Sequence, residues 1–434
     1  MSNGARVRRL VAVTGVATLA LAGCSSGGTS SSDTATGDGG SGGESVALEF
    51  QQWWEPELPD GAFRGLMDKF EEENPGITVE LLSGPYSSTK EQVVAGAAAG
   101  TMADVVGLDG AWVSDFAKQG AIADLSSIMK DVGYDDSQLA SQVQVGGATY
   151  MIPVVNFVYP MFTNDALLEK AGVSAPPSTR TEFADAAKKI TALDDNTYGW
   201  VLPLSLEAPN GVQNDVMSWT WASGGSMLKD GQPALTDNSA VTGTVDYIQG
   251  LWDDGVIAPG SFTMKEQDKV EEFTNGRVGM MIDSLAHVNT IREANPDLTF
   301  SISAIPAEDG YAGERGIPYA SWGIGVAANS AHPAEAFKLI EFLMSESTNS
   351  ELSSIAHAFP GNTEAVPDFV KDDELFGAAF DIYKAGYPAN EFTGLPVAEQ
   401  LMRDFGEQFQ KALDGQQSMQ DALTAAQKAW EAEF

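Results

Sequence analysis

From Val46 onward, short apolar runs alternate with amphipathic stretches, and this alternation admits few architectures. Phe63, Leu66, Met67 and Phe70 recur at helical spacing, and Asn74-Pro75-Gly76 ends the helix they predict. Residues 77–82 then read as a strand, residues 92–99 as an alanine-rich helix stopped by Gly100, and residues 104–108 as a buried strand. Residues 278–282 repeat the buried-strand pattern, and Leu401, Phe405, Phe409 and Leu413 mark a late helix by their four-residue spacing. The fold class these segments predict is α/β.

The first 24 residues form a different kind of segment. Arg6, Arg8 and Arg9 precede a short, alanine-rich apolar stretch ending in Leu21-Ala22-Gly23-Cys24. The stretch is too short for a membrane span and has the layout of an export signal. Cys24 is the one cysteine in the chain, so disulfides and cysteine-based metal sites are excluded. Its position resembles a bacterial lipobox, in which the cysteine becomes the lipidated first residue of the mature protein. Residues 25–43 contain only Ser, Gly, Thr, Asp and Ala, a composition that cannot bury enough surface to order itself. As a flexible tether they would span roughly 25 Å. Within them, Gly39-Gly-Ser-Gly-Gly43 matches a hydrolase nucleophile pattern but lacks the strand and helix that pattern requires.

The remaining residues are too many for one core and suit two domains. The formal charge is 24 − 61 = −37, and without the three leader arginines it is 21 − 61 = −40. So acidic a surface argues against nucleic acid and strongly anionic ligands, and narrows the ligand to neutral or cationic species.

The order of segments resembles the family 1 extracellular solute-binding proteins of ABC importers, the group that includes maltose-binding protein. Phe70-Glu-Glu-Glu-Asn-Pro-Gly-Ile77 is similar to the family's F-E-x-x-x-P-G-I. Residues 97–106 are similar to A-x-A-x-G-x-x-P-D-V, with Ala103 in place of the usual proline. Residues 146–153, residues 163–172 with Pro176-Pro177, and residues 273–280 resemble three further family segments, in the family's order. The resemblance implies a two-lobed, periplasmic-binding-protein-like α/β fold with a ligand cleft between lobes joined near Val155, Asp283 and Trp322. It implies a signal peptide over 1–23 and a lipidated cysteine and tether over 24–45. One lobe would comprise 46–154 with about 284–321, and the other 155–283 with about 322–434. It further implies a monomer outside the cell membrane, anchored by Cys24, that delivers a sugar or oligosaccharide to permease subunits, with no cofactor and no turnover.

A carbohydrate site needs aromatic platforms for the sugar's C–H faces and carboxylates, amides and hydroxyls for its edge. Such groups are expected where strands give way to helices, since ligands bind open α/β sheets beyond the strands' carboxyl ends. Trp53, Trp54 and Glu55 follow the first strand, Tyr86 the second, and Asp109 and Trp112 the third. Asn156 and Phe157 follow Pro153, Asp283 and Ser284 follow residue 282, and Ser321 and Trp322 precede Gly323. Trp219 lies on a predicted helix, where packing is the competing role, and Asp109 could equally cap a helix. Strand parity divides the tryptophan pair: Trp54 shares a face with Leu48 and Phe50, whereas Trp53 shares one with Gln51 and Glu55.

Other chemistries have weaker support. His287, His332 and His357 form no metal-binding motif. Gly323-Ile-Gly-Val-Ala-Ala328 lacks the helix a dinucleotide site needs. The alternatives left open are a polyol, peptide or cationic metabolite as ligand, a glycoside-acting enzyme, or an adhesin or scaffold.

Overall fold

The computed structural model describes residues 45–434; the leader, Cys24 and the tether lie outside the described residues. Three parallel strands open the chain: β1 (Val46–Gln52), β2 (Ile77–Ser83) and β3 (Val105–Leu108), with β1 between the other two. The helix Ala62–Glu73 returns the chain from β1 to β2 and buries Phe63, Leu66, Met67 and Phe70, as their spacing predicts. The helix Tyr86–Ala99 returns it from β2 to β3, so Tyr86 opens a helix behind Pro85 where a loop is expected.

The rest of the chain builds around long antiparallel strands. β4 (Val143–Val145) leads into β5 (Ala148–Val158), which is followed by β6 (Met161–Asn164) and β7 (Tyr198–Trp200). A small hairpin, β8 (Leu228–Lys229) with β9 (Gln232–Pro233), precedes β10 (Val278–Ile282) and β11 (Phe300–Ser303). β12 (Gly316–Val326), β13 (Phe359–Pro360) and β14 (Tyr387–Ala389) complete the set.

These strands form two principal sheets, one for each lobe. The first runs β13-β5-β12-β3-β1-β2, with β4 added to β5 and β14 to β12. The second runs β11-β6-β10-β7. One contiguous apolar cluster packs the first sheet. The second sheet is apolar on both faces: Met280 and Ile282 of β10 enter one cluster, and Val278 and Met281 another. Met280 and Ile282 on one face and Met281 on the other thus fill two cores, while Val278 at the strand's start joins the Met281 cluster, the pattern of a doubly covered sheet.

The pairing revises the expected lobe boundaries. β11 lies within the segment assigned to the first lobe, yet it pairs antiparallel with β6 in the second sheet. Val155 and Trp322 do fall in connecting strands, because β5 and β12 pair along most of their length. No crossing occurs at Asp283, since β10 and β11 belong to the same sheet. The third passage follows β13 instead: β13 pairs with β5, while the helix Glu374–Ala385 beyond it packs on the second sheet. Residues 322–326, expected in the second lobe, pair mainly with β3 in the first sheet. Among the described residues no helix is long and apolar enough to cross a membrane.

Candidate functional site

A cleft of about 510 Å³ opens where the loops after β1, β2 and β3 face the end of β10 and the start of the helix Glu266–Thr274. From the loops of the first sheet come Trp53, Glu57, Tyr86 and Asp109; Phe157 comes from β5, Tyr159 directly follows it, and Ala320, Ser321 and Trp322 come from β12. Across from them stand Glu266, Gln267, Ser284, Ala286 and His287.

The tryptophan pair divides as strand parity predicts. Trp54 is fully buried, edge-on to Phe50 (ring centroids 5.4 Å apart) and Phe63 (5.7 Å). Its face stacks on Trp322 at 5.6 Å with an interplanar angle of 8°. Trp54 therefore backs the cleft, whereas Trp53 and Trp322 line it. Trp322 stands where β12 shifts register against β5, between Trp322 and Gly323. Glycine is required there, because a Cβ on Gly323 would lie 2.2 Å from the Met151 sulfur.

Glu55 does not share the site with Trp53. β1 ends at Gln52 and the three-residue turn Glu55–Glu57 begins, so two-residue alternation no longer applies. The Glu55 carboxylate accepts a hydrogen bond from the Ser83 hydroxyl, and its backbone N–H donates to Gln52 Oε1 at 2.9 Å. Glu57, two residues on, takes the cleft position. Burial holds its carboxyl above the ordinary range, opposed by the neighbouring Trp322.

Asp109 both caps a helix and lines the cleft. Its Oδ1 accepts from the Ala111 N–H at 2.9 Å at the start of the helix Gly110–Gln119, and its Oδ2 accepts from the Tyr86 hydroxyl at 3.1 Å. Burial raises this carboxyl, while the Ala111 and Tyr86 hydrogen bonds pull it back.

Phe157, Ser284 and Ser321 reach the cleft as expected, and Phe157 meets Trp322 edge-on at 5.3 Å. Four other expected site residues stand away from its walls. Trp112 packs behind Trp53 (5.6 Å) and Tyr86 (5.4 Å) and lines a separate groove with Val397 and Arg403. Asn156 is buried and donates to the Tyr383 hydroxyl at 3.0 Å. Trp219 sits in the second lobe's core between Phe183 (4.9 Å) and Trp200 (5.6 Å).

Asp283 is fully buried behind the cleft in a cluster of charges. Its Oδ2 lies 2.9 Å from His287 Nδ1, and its Oδ1 lies 3.4 Å from Lys269 Nζ. Lys269, also fully buried, stands 3.3 Å from both Asp215 carboxylate oxygens and donates to the Ile282 carbonyl at 2.5 Å. Burial pushes the Asp215 carboxyl up to about 8 against the pull of Lys269. Burial works against the Lys269 charge as well, but Asp215, Asp283 and Glu266 together hold its ammonium well above the ordinary lysine range. Glu266, Asp283 and His287 place ligand atoms within 4.8 Å of one another, a donor set that could suit a metal ion. Lys269 already supplies the cation there, which argues for a salt-bridge cluster rather than a metal centre.

Glu57, Tyr159, Glu266 and Gln267 complete the cleft without having been expected, and His287, one turn after Asp283 and Ser284, joins them. One local signal pointed to two of them: Glu266 with Lys269, and Asp283 with His287, have helical spacing beside apolar runs.

Comparison with known proteins places this architecture. A family model described as "Bacterial extracellular solute-binding protein" matches residues 55–349. A putative binding protein of Brucella abortus (strain 2308) is 31% identical over 307 residues, covering 70% of this chain and 73% of that protein. A probable ABC transporter-binding protein of Deinococcus radiodurans is 25% identical over 326 residues, covering 71% and 75%. Among solved structures, the cyclic alpha-maltosyl-1,6-maltose binding protein from Arthrobacter globiformis superposes with a TM-score of 0.75 at 21% identity, covering 89% of this chain and 98% of that one.

Proposed function

Because the chain belongs to the bacterial extracellular solute-binding protein family, we propose that it captures a sugar or oligosaccharide and delivers it to the permease of an ABC importer. The observation that carries this reading is the indole platform: Trp322 stacked on the buried Trp54, beside Trp53 and facing polar groups of the other lobe. Flat apolar rings bordered by Glu57, Asp109, Glu266 and Gln267 match a sugar's C–H faces and hydroxyl edge. The Arthrobacter protein binds a cyclic maltosyl saccharide, and the Deinococcus relative is named for an ABC transporter, both in keeping with this reading.

A ligand touching both lobes favours the closed arrangement by the free energy of contacts made only there. A permease that recognises the closed form would then receive loaded protein. The residues that hold the ligand in this reading are Trp53, Tyr86, Asp109, Phe157, Ser284, Ser321 and Trp322, with Glu57, Glu266 and His287 added. The protein acts as a monomer on the outer face of the cell membrane, held by a lipid on Cys24, and performs no turnover.

Tryptophan fluorescence titration with glucose, maltose, maltotriose and a cyclic maltosyl saccharide tests the reading. Saturable binding of one or more supports it; no response from any of them, or hydrolysis beyond one equivalent, overturns it. Mass spectrometry of the mature N-terminus tests the anchor, which an unmodified Cys24 would refute. The three cleft carboxylates favour one second reading, a cationic solute, and a polyamine in the same titration separates the two.

A further inference from the structure

The cleft is rich in acceptors and poor in charged donors. Glu57, Asp109 and Glu266 face it, and no lysine or arginine is among the residues lining it. His287 is the one basic side chain there, with a quarter of its side chain accessible. A saccharide carries ring, glycosidic and hydroxyl oxygens that need donors as well as acceptors.

We infer that His287 contacts the ligand as the cleft's charged donor, and that a buried Asp283–Lys269–Asp215 chain positions its ring. The inference rests on the carbohydrate reading above. Its geometry is specific. With Asp283 Oδ2 at 2.9 Å, Nδ1 carries a proton and donates to the carboxylate, which leaves Nε2 as the nitrogen free for other partners. The second Asp283 oxygen makes an ion-pair contact at 3.4 Å, without a hydrogen bond, to Lys269, which is itself fixed by Asp215 and the Ile282 carbonyl. These groups come from four separate segments: the π-helical turn Val212–Met217, the helix Glu266–Thr274, the residue after β10, and the turn Leu285–His287. Well-packed apolar side chains would stabilise such a junction as well as buried ions do. What the ions add is a fixed ring orientation at the cleft wall.

The charges around His287 set the sign of its pH response. Asp283 and Glu266 face it, Lys269 and Asp215 stand behind Asp283, Tyr159 adjoins Glu266, and Glu57 and Asp109 lie across the cleft. Burial, the largest single influence, pushes the imidazole down; the Asp283 hydrogen bond and the charges of Asp283 and Glu266 outweigh it, and the ring titrates above its ordinary 6.5. The ring therefore holds its proton to higher pH than a free imidazole does, and ligand affinity falls as pH rises through its raised titration point.

The test uses the full mature protein. With three histidines in the chain, the imidazole NMR signals can be followed singly between about pH 5 and about pH 9. The His287 signal should titrate above the ordinary imidazole value, and a saturating saccharide from the panel should displace that signal and leave those of His332 and His357 in place. His287→Gln should keep the melting temperature, lose about tenfold in affinity and flatten the pH dependence. Asp283→Asn should lower the His287 titration point. If a saccharide binds but H287Q keeps wild-type affinity and pH profile, the inference is overturned while the carbohydrate reading stands. If none of the panel binds, the carbohydrate reading fails and the ligand contact fails with it.

Discussion

The two walls of the cleft are stabilised by opposite means. On the first lobe, Trp53, Tyr86 and Trp322 stand on a dry stack of Trp54, Trp112, Phe50 and Phe63. On the second, Glu266 and His287 stand on buried charges, with Asp215, Lys269 and Asp283 almost without solvent contact. The apolar wall gains from area removed from water and from ring packing, and it tolerates small displacements. The charged wall gains little net free energy and requires its geometry to hold. A platform can be supported by any well-packed residue, whereas a directional hydrogen bond needs a fixed partner.

The largest effect that would break this contrast is expected from Lys269→Met. It takes the ammonium away from the buried Asp215 and leaves the buried Asp283 with His287 alone, at a cost of about 3–5 kcal/mol in urea unfolding. The Asp215 carboxyl, already raised by burial, would lose the pull of Lys269 and titrate higher still in the folded state, so protonation favours the folded state and the deficit shrinks as pH falls. A deficit that grows on acidification would contradict the assignment.

Trp54→Ala should cost a similar or slightly smaller amount, about 3–4 kcal/mol, by opening a cavity under Trp322. Its loss should not vary with pH, which separates it from Lys269→Met. Trp53→Ala lies at the surface of the same stack and should cost less stability. Saccharide affinity should drop by about 2 kcal/mol, roughly 30-fold, measured by calorimetry. Equal losses of stability in the two tryptophan variants would erase the distinction between backing and platform. The smallest effect is expected from Lys90→Ala: the pair with Glu399, at 3.2 Å and partly exposed on both sides, is worth under about 1 kcal/mol and is weakened further by salt.

Much of this was legible locally. Helix faces such as Phe63–Phe70 and the division between Trp53 and Trp54 follow from side-chain periodicity, which neighbours along the chain suffice to fix. Periodicity fails where a strand ends: alternation puts Glu55 on the face of Trp53, but β1 stops at Gln52 and a turn follows. It fails again where position depends on distant partners. β11 joins the second sheet through hydrogen bonds to β6, more than a hundred residues earlier, and nothing in the local pattern of residues 300–303 names that partner. Asp283, a candidate contact by sequence, is fully buried behind the cleft wall, with Lys269 at 3.4 Å from its carboxylate on the inner side. The apolar wall was visible in sequence, and the charged wall required the fold.

The near-parallel pairing of Trp54 with Trp322 has one more consequence, an optical one. Two indoles 5.6 Å apart and 8° from parallel couple as chromophores, and they join the first strand to the strand that runs between the lobes. Circular dichroism of that pair, both rings buried in one core, would report whether the stack under the cleft keeps its geometry when the cleft is filled, without an added label.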